Sequence, residues 1–328
     1  MIITKTPLRI SFAGGGTDFP DFYNKYSGAV LNTAINFFIY VTVKRHGILF
    51  NENYRLNYSE VENVDRLDDI KNDIARECLR LLPVEPPIYI STISDIPAFS
   101  GLGSSSSFAV GLINALHALR GERVGVARLA EEAAHVEIDI LKRPIGKQDH
   151  YVAAFGGLNY FQFLPDCGVS IESHNLTSAD LDKLFECIML FWTGITRDSS
   201  SILVKQKKNI PQCIDNLIIL RDQATELHTL LKSQFDPYIL GRELNINWEN
   251  KRKLANCISN EKIDAWYKQA IDAGAIGGKL CGAGGGGFLL FIVLPDEQDN
   301  VRCALNDLRN IDIKYEPHGS RILIPSFM

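Results

Sequence analysis

The sequence lacks the features that mark several special classes of protein. Its 34 Lys and Arg nearly balance its 39 Asp and Glu, so no charge excess suits nucleic acid or an anionic membrane. No apolar run reaches the length of a membrane-spanning helix. The seven cysteines are scattered and never form a Cys-x-x-Cys pair, which argues against a zinc cage and a disulfide framework. We therefore expect a cytoplasmic protein that binds neither nucleic acid nor membrane, and we leave a homodimer open.

What the sequence does contain is a mixture of strand and helix patterns along 328 residues, more than one core usually accommodates. Period-2 and β-branched runs predict strands at 2–13, 30–45, 88–93, 158–163, 188–193, 288–294, 311–316 and 321–324. Apolar residues at helical spacing predict helices at 70–82, 104–119, 126–141, 215–231, 262–273 and 297–308. The polar stretch Pro165–Ser178 is the candidate domain boundary.

The first glycine-rich segment, Pro7–Asp18, runs from an alternating strand into Gly14-Gly15-Gly16. Glycines let backbone approach a ligand closely because no Cβ stands in the way. Arg9 and Asp18 flank them with opposite charges. The simpler interpretation is a strand and tight turn, with Asp18 capping the helix that follows.

The second segment, Pro97–Ser107, leads directly into a predicted helix and contains four consecutive serines. A helix N-terminus offers unsatisfied N–H groups that attract phosphate, and serine hydroxyls can bind phosphate or Mg²⁺. A serine cap alone would need one serine rather than four. The segment is not a Walker A loop, because no Gly-Lys-Ser/Thr ends it.

The third segment, Gly277–Phe288, includes a formal G-x-G-x-x-G match at Gly282, Gly284 and Gly287. A dinucleotide-binding fingerprint must open a helix, whereas these glycines run into a predicted strand. We therefore reject that function and expect backbone packed against a ligand or another loop.

Two carboxylates stand out beside these segments. Glu137 lies on a largely apolar helical face, so it needs a partner, either Mg²⁺ or an arginine in a core ion pair. Asp149 follows the turn at Gly146 and could act as a general base or orient a hydroxyl. A surface or capping role is the ordinary alternative for an aspartate.

Together, the three segments resemble the signature motifs of the GHMP kinases, the family of galactokinase, homoserine kinase, mevalonate kinase and phosphomevalonate kinase. The resemblance runs from Pro7 to Phe288, and Pro97–Ser107 is its most specific motif. Within the family, three pieces are similar to the heptose 7-phosphate kinases of bacterial GDP-heptose synthesis: Ala13–Asp18, Ile145–Asp149 and Thr193–Ser199.

The resemblance implies a GHMP kinase fold of the α+β class. An N-terminal ribosomal-protein-like α/β domain would cover residues 1–175, and a C-terminal ferredoxin-like α+β domain residues 176–328, with the active site between them. The implied activity is transfer of the γ-phosphoryl group of Mg·ATP to the anomeric hydroxyl of D-glycero-D-manno-heptose 7-phosphate, giving the 1,7-bisphosphate.

The resemblance also implies roles for individual residues. Asp149 would sit by the acceptor hydroxyl, and Arg9 would pair with Asp149 and with the transferring phosphoryl group. Ser105 and Glu137 would hold Mg²⁺. The residues expected around ATP are Pro97, Gly101, Leu102, Gly103, Ser104, Ser105, Ser106 and Ser107. Those expected around the sugar phosphate are Gly15, Gly16, Thr17, Asp18, Lys147, Arg197, Gly284 and Gly285.

The phosphate on the sugar would need a cation. Lys147, Arg197 and Lys279 each lie in or beside a loop of small residues, and Arg197 at a predicted helix start is the best candidate. Galactokinases carry Glu-His where this chain has Gly15-Gly16, which counts against galactose. Two alternatives stay open: a kinase for an unphosphorylated sugar such as fucose or galactose, and a non-catalytic sensor of ATP and sugar.

Overall fold

The computed structural model describes residues 1–47, 49–196, 199–233 and 235–324. These residues form two β-sheets with helices packed on them, so the predicted mixed α+β class is confirmed. Arg197 and Asp198 lie outside the described residues.

The first sheet is built around two long neighbouring strands, β1 (Ile2–Ala13) and β2 (Gly28–Arg45), which pair antiparallel. The other strands are β3 (Tyr54–Asn57), β4 (Val61–Val64), β5 (Ile88–Ser94), β6 (Leu158–Phe163), β7 (Val169–Ser173) and β12 (Arg321–Ile324). The order is β12-β1-β2-β5-β3-β4, with β6 on the first half of β2 and β7 beyond it. Strand β2 is therefore long enough to pair with β6 at one end and β5 at the other.

Among the described residues, five α-helices cover this sheet: α1 (Pro20–Tyr26), α2 (Asp73–Leu81), α3 (Ser104–Leu119), α4 (Val126–Ala134) and α5 (Gln148–Phe155). Helix α3 is apolar on nearly every side and contacts β1, β2, α2, α4 and α5, so it is a buried central helix. Helix α4 continues as a π-helical turn, His135–Ile140, which carries Glu137.

The second sheet contains β8 (Ile188–Trp192), β9 (Gly277–Leu280), β10 (Phe288–Ile292) and β11 (Arg309–Ile311) in the order β11-β8-β10-β9. Numbered along the chain, this is the 4-1-3-2 antiparallel order of a ferredoxin-like domain. Six α-helices lie in the described part of this half: α6 (Ser178–Glu186), α7 (Ser199–Asn209), α8 (Ile214–Ser233), α9 (Pro237–Arg252), α10 (Glu261–Asp272) and α11 (Gln298–Ala304). Helix α9 contacts β9 and also β1, so it bridges the two sheets.

Some sequence-based element predictions were wrong. The run at 311–316 is not a strand beyond Ile311, although Tyr315 forms an isolated bridge with Ile35. Helices α6 and α9 and strands β3, β4, β7 and β9 were missed. The last strand, β12, returns to pair with β1, so the C-terminal part of the chain completes the first sheet. The boundary at residue 175 stays a prediction.

Candidate active site

A cavity of about 560 Å³ lies where the three glycine-rich segments meet. Predicted site residues that line it are Arg9, Gly15, Gly16, Asp18, Gly101, Gly103, Ser104, Ser105, Ser106, Asp149 and Gly284. Among the described residues, the predicted ones that do not reach its wall are Pro97, Leu102, Ser107, Thr17, Glu137, Lys147 and Gly285. Two parts of the cavity wall differ in chemical character. The glycine wall comprises Ser11, Gly15, Gly16, Gln148, Gln206 and Lys251, and the strand wall comprises Ile39, Tyr58, Thr92, Ser94 and Phe108.

The second and third segments pack backbone against backbone. A Cβ on Gly101 would lie 2.9 Å from the carbonyl oxygen of Cys281, and one on Gly282 would lie 2.6 Å from the Cα of Gly101. Gly101 and Gly282 have φ of +83° and +70°, which side chains other than glycine rarely adopt. The third segment is therefore packed against another loop, one of the two outcomes expected for it.

The second segment ends in a left-handed Gly103, φ +81°, directly before helix α3. Its serines divide into two kinds. The Ser107 hydroxyl donates to the carbonyl of Pro7 (2.8 Å) and holds the helix on β1, whereas Ser104 and Ser105 line the cavity. The N-terminus of α3, with its N–H groups and the positive end of its dipole, thus opens at the cavity, which suits a phosphate chain.

Glu137 is fully buried within the π-helical turn and is surrounded by partners. One carboxylate oxygen accepts from the Ser105 hydroxyl and from Arg143 Nη1 (2.9 Å), and the other from His150 Nε2 (2.8 Å). Burial alone would raise the pKa of Glu137. The hydrogen bonds from His150 and Ser105 and the charge of Arg143 outweigh it and leave that pKa below its ordinary value. Glu137 is therefore a fixed anion behind the wall.

Arg9 and Asp149 form a two-pronged ion pair at the centre of the site. Arg9 Nε and Nη2 donate to the two carboxylate oxygens of Asp149, each at 2.7 Å, and Nη1 donates to the carbonyl of Gly101 at 2.8 Å. Arg9 is almost fully buried, whereas the Asp149 side chain remains 23% exposed toward the cavity. A bidentate arginine fixes the carboxylate plane and leaves its outer edge accessible.

Asp18 does not cap helix α1, because that helix has no side-chain cap. Its carboxylate instead accepts from the backbone N–H of Gly16 and of Gln148, both at 3.1 Å. A Cβ on Gly146 would lie 2.1 Å from Asp18 Oδ2, so glycine is required there. Burial raises the pKa of Asp18 above its ordinary value, and these N–H bonds only partly oppose it.

The two lysines that the sequence suggested for the phosphate differ in their relation to the cavity. Lys147 Nζ pairs with Glu131 (2.9 and 3.0 Å), and Lys279, which lines the cavity, donates to Phe12 O and Asn247 Oδ1 at 3.1 Å. Arg197 lies outside the described residues.

Sequence reasoning missed Lys251, Arg143 and Gln206, all of which line the cavity. Lys251 belongs to helix α9, which was not predicted. A signal was nevertheless present, because Lys251 follows Leu240, Leu244 and Trp248 at helical spacing and so falls on an apolar face.

Two searches of the described part of the chain gave negative results. No cluster of three or more His, Cys, Asp or Glu side chains has the arrangement of a metal site there. None of the helices there combines the length and apolarity needed to span a bilayer.

Comparison with known proteins supports the interpretation of the motifs. Residues 70–157 match the family model for the GHMP kinases N terminal domain, and residues 227–310 match that for GHMP kinases C terminal. The D-glycero-alpha-D-manno-heptose 7-phosphate kinase of Campylobacter jejuni is 33% identical over 93% of each chain. A mevalonate kinase of Methanothermobacter thermautotrophicus is 29% identical over 71% of this chain and 73% of its own.

A crystal structure described as a D-glycero-D-manno-heptose 1-phosphate kinase from Bacteroides thetaiotaomicron superposes with a TM-score of 0.81. It shares 25% identity and covers 99% of both chains. The predicted fold and the predicted phosphotransferase activity are thereby confirmed. The chain belongs to the GHMP kinase family and is a kinase that uses ATP.

Proposed function

We propose that this kinase transfers the γ-phosphoryl group of ATP to the anomeric hydroxyl of D-glycero-D-manno-heptose 7-phosphate, giving the 1,7-bisphosphate. The observation that carries the proposal is full-length similarity to the Campylobacter jejuni enzyme named for that substrate. Two of the three pieces that resemble heptose 7-phosphate kinases, Ala13–Asp18 and Ile145–Asp149, also contribute residues to the cavity wall.

ATP would lie along the second segment. Its phosphates would meet the N-terminus of α3, with Ser104 and Ser105 as hydroxyl donors and the Gly101–Gly103 turn at close range. Its base would rest on the strand wall, where Tyr58, Phe108 and Ile39 supply aromatic and apolar surface.

Ser105 on the cavity wall and Glu137 directly behind it are the two side chains that would hold a magnesium ion. Ser105 Oγ and one Glu137 oxygen are in direct contact, and both are the hard oxygen donors that Mg²⁺ prefers. Mg²⁺ commonly takes one or two protein ligands and completes its shell with phosphate oxygens and water, so two donors suffice. When bound, the ion would neutralise charge on the phosphates. Arg143 Nη1 donates to the same two side chains, so on metal binding it must move away or share them with the ion.

Asp149 and Arg9 would act on the acceptor. The hydroxyl oxygen attacks the γ-phosphorus, ADP leaves, and the hydroxyl proton passes to the exposed edge of Asp149. Arg9 fixes the Asp149 carboxylate through two bonds and adds positive charge where negative charge develops. Asp18, which lines the cavity and lies against Gly146, would bind sugar hydroxyls.

The names of the relatives leave two competitors for the acceptor. One is heptose 1-phosphate, because the Bacteroides thetaiotaomicron protein is described by that compound. The other is a free sugar. An L-fucokinase/L-fucose-1-P guanylyltransferase of Bacteroides fragilis is 26% identical over 91% of this chain, though over only 35% of its own length.

One experiment separates these functions. With ATP and Mg²⁺, kcat/KM is measured for heptose 7-phosphate, heptose 1-phosphate, free heptose, L-fucose and D-galactose, and the product is examined by ³¹P NMR. We expect heptose 7-phosphate to be the best acceptor, with the new phosphorus coupled to the anomeric proton. A free sugar as best acceptor would overturn the assignment. ATP turnover that no acceptor stimulates would favour the sensor.

A further inference from the structure

A buried cation, Lys251, faces the cavity and lies outside the three glycine-rich segments. Lys251, near the end of α9, is only 6% exposed, yet it lines the cavity. Its ammonium donates to the carbonyl of Gly282 at 2.5 Å, the one hydrogen bond it makes to described residues. An ammonium has three N–H donors, so this bond leaves two for a ligand.

Two neighbouring side chains have polar atoms with no partner among the described residues. They are the Oγ of Ser11, a residue 7% exposed, and Oε1 of Gln148. Buried polar atoms are almost always hydrogen-bonded, so such atoms at a cavity wall indicate a bound polar group. The Ser11 hydroxyl can donate to an anion, whereas Gln148 Oε1 only accepts and suits a hydroxyl of the ligand.

Lys251 Nζ, Ser11 Oγ and the amide nitrogen of Gln148, Nε2, surround the same small space above Gly15. A Cβ built on Gly15 would lie 3.8 Å from Lys251 Nζ, 3.8 Å from Gln148 Nε2 and 3.9 Å from Ser11 Oγ. The space is open because residue 15 has no side chain.

The local charge also favours an anion. Arg9 is already paired with Asp149, whereas within the described ranges neither Lys251 nor Lys279 forms an ion pair with a carboxylate. Burial and the nearby charge of Arg9 lower the pKa of Lys251 to about 8, against the smaller opposing effects of the Asp18 and Asp149 carboxylates. A phosphate beside this ammonium would offset the surplus positive charge.

We propose that Lys251 Nζ, together with Ser11 Oγ and Gln148 Nε2, binds the phosphate that the acceptor already carries and thereby selects a phosphorylated over a free sugar. The inference rests on the proposed function, since it assigns a residue to the substrate's own phosphate. We prefer Lys251 to Lys147, whose ammonium pairs with Glu131 and does not line the cavity, and to Lys279, whose ammonium makes two hydrogen bonds to described residues where that of Lys251 makes one.

The test compares heptose 7-phosphate with free heptose in wild type, Lys251→Met and the control Lys253→Met. Lys253 lies two residues further along and is exposed. We expect Lys251→Met to lower kcat/KM for the phosphorylated acceptor about 100-fold and for the free heptose less than about threefold, because a charge-assisted contact is lost for one acceptor only. Inorganic phosphate should compete with the acceptor in wild type and in Lys253→Met, but not in Lys251→Met.

A second variant keeps the test decisive if Lys251→Met folds poorly. Gly15→Ala places a methyl group in the same space at ordinary contact distances and without backbone strain, and Gly125→Ala, in open space, is its control. We expect Gly15→Ala to weaken phosphate competition and to reduce the preference for the phosphorylated sugar. Equal losses for both acceptors in Lys251→Met, or full phosphate preference in both variants, would overturn the role of Lys251. Absence of any preference in wild type would instead overturn the proposed substrate.

Discussion

Glu137 and Asp18 are two carboxylates buried to nearly the same degree beside one cavity, with exposures of 0% and 1%, but they differ in how strongly they hold a proton. The pKa of Glu137 lies below its ordinary 4.5, whereas that of Asp18 lies above its ordinary 3.8. Burial acts in the same direction on both. The difference comes from the partners.

Glu137 contacts a guanidinium, an imidazole and a hydroxyl, whereas Asp18 is held by neutral backbone N–H groups and lies near a second carboxylate, Asp149. The charge of the partners therefore decides the pKa, rather than depth alone. In the proposed reaction, the difference between the pKa values of Glu137 and Asp18 suits two tasks. A fixed anion belongs beside metal and phosphate, and a carboxyl that protonates more readily belongs beside sugar hydroxyls.

Asp149 is a third carboxylate at the cavity, with one cationic partner, Arg9, and an exposed outer edge. Its replacement should give the largest loss of activity. Asp149→Asn keeps the shape but removes the proton acceptor, so kcat should fall about 10²- to 10⁴-fold while ATP affinity stays near wild type. Steady-state kinetics and ATP titration by calorimetry measure the two. The control is Asp139→Asn, an exposed aspartate paired with His135. A loss below about tenfold, with chemistry limiting, would reduce Asp149 to a structural residue.

Glu137→Gln tests the carboxylate with the lowered pKa by removing its negative charge. We expect kcat at saturating ATP to fall by about tenfold or more and the Mg²⁺ concentration for half-maximal rate to rise, because one hard anionic ligand becomes a neutral amide. The variant should also lose roughly 1–3 kcal/mol of stability, because His150 and Arg143 lose a charged acceptor. Wild-type turnover and Mg²⁺ dependence in a variant that unfolds more readily would show a structural ion pair only.

The sequence could predict the parts of this comparison that depend on local pattern. Helix α3 was predicted with its observed bounds, because an apolar run follows a glycine-serine start. The partners of Glu137 could not be predicted, because Arg143 is in a loop and His150 in α5, and only the fold brings them to the π-helical turn. The sequence offered Mg²⁺ or an arginine as alternatives for Glu137, and the structure shows that an arginine is present without excluding the ion.

Lys251 was missed for a related physical reason. It contacts Gly282 and lies near Gly15 although about 30 and about 240 residues separate them along the chain, so no local motif contains the group. The glycines of the third segment were correctly taken as sites of close approach, but the sequence did not identify Gly101 as their neighbour.

Acid titration of stability sharpens the comparison, because the two carboxylates should give opposite signs. Glu137 has a lowered pKa, so its stabilising contribution is present above 4.5 and is lost as the pH falls through its folded-state value. Asp18 has a raised pKa, so its contribution is present below 3.8 and is lost as the pH rises through its folded-state value.

The measurement is urea unfolding of wild type, Glu137→Gln and Asp18→Asn between pH 7 and pH 3.5. The stability gap between wild type and Glu137→Gln should narrow on acidification, and the gap between wild type and Asp18→Asn should widen. If both stability differences narrow, or both widen, on acidification, the view that the hydrogen-bonding partners set the pKa values of Glu137 and Asp18 would be contradicted.

The smallest effect is expected at Lys147, the lysine that the sequence placed at the substrate. Its ammonium is held by Glu131, whose side chain is 45% exposed, and Tyr151 donates its hydroxyl to the same carboxylate. A partly exposed ion pair contributes about 0.2–1 kcal/mol, so Lys147→Met should cost less than about 1 kcal/mol in urea unfolding. We expect its kcat/KM for heptose 7-phosphate to stay within about twofold of wild type, because the lost charge does not face the cavity. The matched comparison is Lys251→Met, the same substitution at the buried lysine of the glycine wall. If Lys147→Met instead raises KM for the phosphorylated acceptor more than about fivefold while Lys251→Met does not, Lys147 leaves Glu131 on substrate binding and takes the phosphate.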